Sequence, residues 1–211
     1  MKIYYAQPND RIFDAKIVRN SELFDKTYSF QECPAWRHKQ NRTFVGLSPI
    51  DFEIDPSTWP PDGLDEYIEF DETDALGPKP IIQLRFPMFF FWTYDTDIWI
   101  EQYDHPITAL NNNFISIGGW WNLSRWVRNT SNAILPVNMD CPIVIKKGDP
   151  LFRLTFHSKD MDEGIILHEE SEDDIPQSIL DRREEELDII DNDPEVLSKK
   201  IFKCPFARII Y

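Results

Sequence analysis

The chain has 211 residues, 42% of them hydrophobic and 28% charged, an ordinary balance for one folded domain. Its net charge of −15 lies mostly in two blocks: residues 158–195 hold 16 acidic and 3 basic side chains, and residues 51–74 hold ten carboxylates with no Lys or Arg. There is no basic stripe to neutralise phosphates, which argues against direct nucleic-acid binding. No apolar run approaches the ~20 residues of a membrane span.

The opening Met1-Lys2-Ile3-Tyr4-Tyr5 has no apolar core or small-residue cleavage site, so it reads as cytosolic rather than secreted. Residues 1–60 read as short strands between turns. Ile50, Phe52 and Ile54 alternate with Asp51, Glu53 and Asp55, the period of a strand with one wet face. Residues 55–63 carry three prolines and Gly63, and cannot hold a regular element. The acidic stretch from there to Pro80 reads as a long surface loop with little strand.

Five of the seven Trp fall between Trp92 and Trp126. Within that region Ile81–Phe86 predicts a strand, Pro87 limits it, and Phe89–Trp92 predicts a second, heavily buried piece. Asp97–Glu101 is a further strand, and Asp104-His105-Pro106 resembles a strand exit. Asn111–Asn113 forms a polar turn. Phe114–Ile117 then leads into Gly118-Gly119, where a tight bend makes room for the rings of Trp120 and Trp121. Residues 142–157 give the clearest hairpin, turning at Lys147-Gly148-Asp149-Pro150. Its return strand puts Phe152, Leu154 and Phe156 on one face and Arg153, Thr155 and His157 on the other.

The period changes after Gly164–Leu167, a last short strand. Pro176–Ile190 reads as a helix with Ile179, Leu180 and Leu187 on one side. Asp193-Pro194-Glu195 starts a second helix running to about Lys203, after which Phe202, Phe206 and Ile209 are suited to docking the tail. The expected fold is therefore mainly β: an antiparallel β-sandwich or jelly roll over residues 1–170, with two C-terminal helices in an acidic segment, 171–211, packed on the same domain.

No catalytic constellation stands out, and the catalytic residues are left unknown. There is no G-x-S-x-G elbow, and seven Gly leave few places for a phosphate-cradling loop. His38, His105 and His157 lack the carboxylate or His two residues on that an iron oxygenase would use, and His168 alone has one, Glu170. Cys33, Cys141 and Cys204, each followed by Pro, are an odd count without a C-x-x-C pair, and read as buried thiols rather than a disulfide framework. Cys33, His38 and Cys204 fall short of the four ligands of a zinc site. No metal and no cofactor are expected.

Two sets of residues are candidates for function. Trp120, Trp121, Arg125, Trp126 and Arg128 interleave rings and guanidinium groups as a protein interface does. The aromatic cluster serves either as filling between two sheets or as such a platform. Asp149, Arg153, Thr155 and His157 form an alternative polar pocket if a loop folds over them, with His157 the best single titratable group. A third possibility is that the acidic blocks mimic nucleic acid and engage a basic protein.

Several blocks occur together: Cys33-Pro34-Ala35-Trp36, Ser48-Pro49-Ile50-Asp51, Gly118-Gly119-Trp120-Trp121-Asn122-Leu123, Trp126-Val127-Arg128, Lys147-Gly148-Asp149-Pro150-Leu151-Phe152 and Cys204-Pro205-Phe206. In that order, over roughly residues 33–206, they resemble an uncharacterised family encoded mainly by tailed phages and some bacteria. The resemblance implies a viral origin and a compact β-rich domain, and transfers no site. The Lys147–Pro150 turn is also similar to the strand–Gly–Asp–strand turn of the trimeric dUTPase and dCTP deaminase fold, whose Asp–Tyr–Arg-type substrate block has no counterpart here. The leading expectation is a non-enzymatic protein in the host cytoplasm or the virion, acting by contact with a protein partner or by self-assembly. The alternative is a jelly-roll enzyme acting on a small molecule or nucleotide.

Overall fold

In the computed structural model, residues 1–24, 32–56, 68–71, 81–125, 127, 129–160 and 162–192 are described. They carry thirteen strands and three α-helices, and the fold is a mainly antiparallel β-sandwich. One sheet has the order β13-β1-β6-β10-β8, with β5 also on β6: β1 (Lys2–Ala6), β5 (Ile68–Asp71), β6 (Ile81–Trp92), β8 (Phe114–Ile117), β10 (Asn129–Pro136) and β13 (Ile166–Glu169). The other runs β2-β3-β12-β7-β9: β2 (Lys16–Arg19), β3 (Thr43–Leu47), β7 (Trp99–Tyr103), β9 (Gly119–Asn122) and β12 (Pro150–His157). A third, small sheet pairs β4 (Phe52–Ile54) with β11 (Ile143–Ile145). The helices are α1 (Pro34–Gln40), α2 (Pro106–Asn111) and α3 (Gln177–Asn192). Among the described residues, no helix is long and apolar enough to cross a membrane.

The core forms where the inward residues of both large sheets meet. Ile82, Leu84, Phe89 and Phe91 come from the six-stranded sheet, and Ile100, Trp121, Phe152, Leu154 and Phe156 from the five-stranded one. Phe91 and Phe156 touch across the sandwich, with ring centroids 5.8 Å apart. The alternation in β12 places its three apolar residues inward, the face the sequence assigns them.

Pro87 does not end the strand. β6 runs through it as one twelve-residue element. Its pairing with β10 steps from Leu84↔Asn132 to Phe89↔Thr130, so β6 spends more residues than its partner across this gap. An irregular insertion of this kind changes which face successive side chains occupy. Before it, Ile82, Leu84 and Phe86 face the core; after it, Phe89 and Phe91 do. Phe90 and Trp92 are thereby sent to the opposite face. There they join Ala6, Val127, Ile175 and Ile179 in a second apolar cluster under the first turns of α3. Both faces of Phe89–Trp92 are buried, for two separate reasons.

The hairpin expected over residues 142–157 is a correction. β11 pairs with β4, and β12 pairs with β3 and β7, so the two strands belong to different sheets. The Lys146–Asp149 turn is a corner. Gly148 sits at φ 92°, a conformation that costs glycine little. Its N–H donates to Ser48 O (2.8 Å), and Ser48 N–H donates to Asp149 O (2.8 Å). The β3–β4 and β11–β12 segments thus run as one antiparallel ribbon that bends from sheet to sheet together. Ser48 takes Asp149 O, while Asp149 N–H still donates to Lys146 O and closes the turn (2.9 Å).

A short strand, β5, lies within the acidic stretch. Two further features depart from the sequence reading. His105-Pro106 opens a helix rather than only leaving a strand. β13 pairs with β1 in parallel. The second C-terminal helix, the docked tail and Cys204 lie outside the described residues.

Gly118 has a different role from the one its sequence suggests. A Cβ there would stand 2.0 Å from Gln102 O, so β8 and β9 can cross from one sheet to the other only against a bare backbone. Gly119 has room, meeting only the Trp121 ring at 3.9 Å. Gly118→Ala is therefore expected to destabilise by about 2–4 kcal/mol, and Gly119→Ala by under about 1 kcal/mol. Urea denaturation of both variants checks this, and equal losses would contradict it.

Candidate functional site

Strand parity sorts the two candidate sets. In β9 the register places Trp121 opposite Ile100 and Trp120 opposite Glu101. Adjacent residues of a strand point to opposite faces, so only one of these two Trp can face solvent. Trp121 is 4% exposed and part of the core, whereas Trp120 is 46% exposed. Trp121 is thus corrected from surface contact to core filler. Arg125 is exposed just beyond β9. Trp126 and Arg128 lie outside the described residues.

The outer face of the five-stranded sheet gathers Trp120 together with most of the alternative set. Arg153, Thr155 and His157 project there from β12, as their parity requires. The His157 and Trp120 rings lie 5.5 Å apart, and Trp99 meets Trp120 edge-on at 6.0 Å. His157 Nε2 and Glu101 Oε2 are 3.0 Å apart, both partly exposed. Below this row, Asp97 Oδ1 accepts from Trp99 Nε1 and Asn122 Nδ2, each at 3.3 Å, while Lys159 Nζ stands 3.2 Å from Asp97 Oδ2. The hydrogen bond from Lys159 is the main reason the Asp97 carboxyl is held below its usual range, with that from Trp99 contributing.

Thr155 is not wet. Tyr103 lies across it, with its OH 2.8 Å from Thr155 Oγ1, which in turn meets Thr43 Oγ1 at 2.9 Å. The Arg153 guanidinium stacks on the Tyr103 ring at 4.2 Å, and its Nε donates to Asp104 O at 2.8 Å. Asp149 does not join the group. Its Oδ2 accepts from Lys146 N and Asn112 Nδ2, each at 2.9 Å, so it braces the corner turn.

One end of the face is closed by a buried polar chain. Asn20 Nδ2 donates to Gln40 Oε1, and Asn20 Oδ1 faces His105 Nε2 at 3.1 Å. His105 Nδ1 accepts the cap bond from Ile107 N, so the proton sits on Nε2 and the ring is neutral. Burial first, and then the Arg153 charge, push its pKa from 6.5 down to about 4. The unfolded chain therefore binds a proton that the native state refuses. The stabilisation this gives is complete above the unfolded pKa and is lost as pH falls from 6.5 toward 4. The loss attributable to His105 is about 3 kcal/mol. Urea unfolding at a series of pH values should show that slope in the wild type and not in His105→Gln, and equal slopes would contradict it.

Among the described residues, no group of three or more His, Cys, Asp or Glu could hold a metal ion. Cys33 and Cys141 are exposed free thiols rather than the buried ones expected. A polar depression of about 420 Å³ lies at the C-terminal ends of β1 and β13, lined by Gln7, Asn9, Glu169 and Glu172 among others. It includes none of Asp149, Arg153, Thr155 or His157. The residues that sequence reasoning missed on the sheet face, Trp99, Glu101 and Tyr103, all sit at alternate positions of β7.

No protein-family model matches the chain, and no curated protein matches it. Among solved structures it is similar to a mutant dUTPase from phage phi11 of S. aureus, at 8% identity and a TM-score of 0.35, over 68% of this chain and 90% of that one. A likeness at that level carries no weight in reading the site.

Proposed function

We propose that the protein is a non-enzymatic, phage-encoded interaction protein, a virion component or an accessory factor in the host cytoplasm. Its contact surface is the outer face of the five-stranded sheet around Trp120. The supporting observation is the half-exposed Trp120 ring, held by Trp99 and His157 within a row of already paired polar groups. A large ring fixed in place on a rigid sheet loses little entropy on binding, which is what an interface anchor requires.

The test is capture from lysate of the host cells by the purified chain. The expected result is a partner retained in stoichiometric amount by the wild type and lost with Trp120→Ala, at unchanged melting temperature. Equal retention by the variant would refute the reading. The acidic-mimic alternative draws on the exposed carboxylates Asp181, Glu184, Glu185 and Asp188, spaced three and four apart on α3. It predicts instead that capture depends on those four and survives Trp120→Ala.

A further inference from the structure

Two cations on the same sheet face have no acidic partner among the described residues. Among the described residues, Arg11, Lys146 and Lys159 each pair with an Asp. Arg153 and Lys39 do not, although the chain carries a net charge of −15. Arg153 makes one hydrogen bond, from Nε to Asp104 O, and lies flat on Tyr103 at 4.2 Å. Its two terminal nitrogens meet no acceptor among the described residues. Lys39, from α1, holds its ammonium 5.8 Å from the same ring centroid. The face's own carboxylate, Glu101, is engaged by His157. Two like charges gathered around one ring repel each other, and stacking on Tyr103 offsets that only in part. His105 also feels the Arg153 charge, which disfavours its protonation, while the Asp104 charge opposes that effect.

We infer that Arg153 and Lys39, held against Tyr103, form an oxyanion subsite that takes a carboxylate of an acidic peptide segment on the protein partner. A guanidinium fixed at Nε presents its two terminal N–H groups as a fork, the geometry a carboxylate fits. Tyr103 and Glu101 are two residues apart on β7, so the subsite and the Trp120 row are separated by only ~7 Å along the strand. A short peptide can place a carboxylate in one and an apolar side chain on the other. Nucleic acid fits poorly, because two cations do not make the stripe that a run of phosphates needs.

This subsite rests on reading the sheet face as the contact surface, and its test is separate from partner capture. In the ¹⁵N-labelled full chain, the Arg153 Nε–H resonance is followed while hexaglutamate peptide is added at low salt, with inorganic phosphate as a second titrant. The expected result is a saturating shift with hexaglutamate, about tenfold weaker in Lys39→Gln. That exposed substitution should leave the melting temperature unchanged. Trp120→Ala should keep the hexaglutamate response even where it loses the partner, so the two readings fail independently. A response to phosphate alone would overturn the peptide assignment. No response to either, or an undiminished one in Lys39→Gln, would overturn the subsite.

Discussion

Trp121→Ala is expected to cost about 3–5 kcal/mol of folding stability, and Trp120→Ala under about 1 kcal/mol. The two residues are adjacent, chemically identical and on one strand, so only their direction differs. Trp121 faces Ile100 within the core cluster that includes Phe152 and Phe156. Truncation there removes a large buried ring and leaves a cavity that a sandwich interior cannot close, because neighbours on both sheets are held by their ladders. Among the described residues, the Trp120 ring meets the rings of Trp99 and His157, both already partly wet. A domain of this size has about 5–15 kcal/mol in total, so the first variant forfeits a large share of its stability and the second almost none. Urea denaturation with circular dichroism measures both. Similar losses in the two variants would mean that the β9 register is wrong and the contact surface misplaced.

Arg42→Ala is expected to be comparably severe, at about 3–5 kcal/mol. Arg42 is 2% exposed, and its guanidinium gathers the loop that follows β12. It donates to Phe156 O at 3.3 Å, to Ser158 Oγ at 3.2 Å, to Glu163 O at 2.8 Å, and to Asp160 O. Burial lowers its pKa, and the Asp160, Glu163 and Asp162 charges oppose that shift. Deleting the side chain strands several carbonyls that have turned inward to meet it, and each unpaired acceptor carries its own desolvation penalty. Arg42→Lys should recover little, since one ammonium cannot span acceptors that a planar fork reaches together. Amide exchange should accelerate in residues 158–165 of the Ala variant. Unchanged exchange there would show that the loop holds itself.

How much of this was legible in the sequence follows from the range of each signal. Period-two alternation is local, and it placed Phe52 and Ile54, and then Phe152, Leu154 and Phe156, on their buried faces. The same parity rule separates Trp120 from Trp121, yet residue type alone groups them in one patch. Which strands pair is set by partners far along the chain. The compact Lys146–Asp149 turn has the composition of a hairpin, and its pairing with the β3–β4 segment around Ser48 and Asp51, about a hundred residues earlier, makes it a corner. Pro87 reads as a strand end because its missing donor is visible, while the slack in the β10 register that accommodates it is not. The site was half legible for the same reason. Arg153, Thr155 and His157 share a face by their own spacing, whereas Glu101, Tyr103 and Lys39 reach them from other elements.

The central claim is that the outer face of the five-stranded sheet is where the protein meets its partner. Hydrogen–deuterium exchange of the full chain, with and without the captured partner, tests it most directly. Slowed exchange at residues 99–103, 119–122 and 153–157 is the expected result. Protection confined to residues 166–192, with the sheet unchanged, would contradict the claim and transfer the contact to the acidic helix.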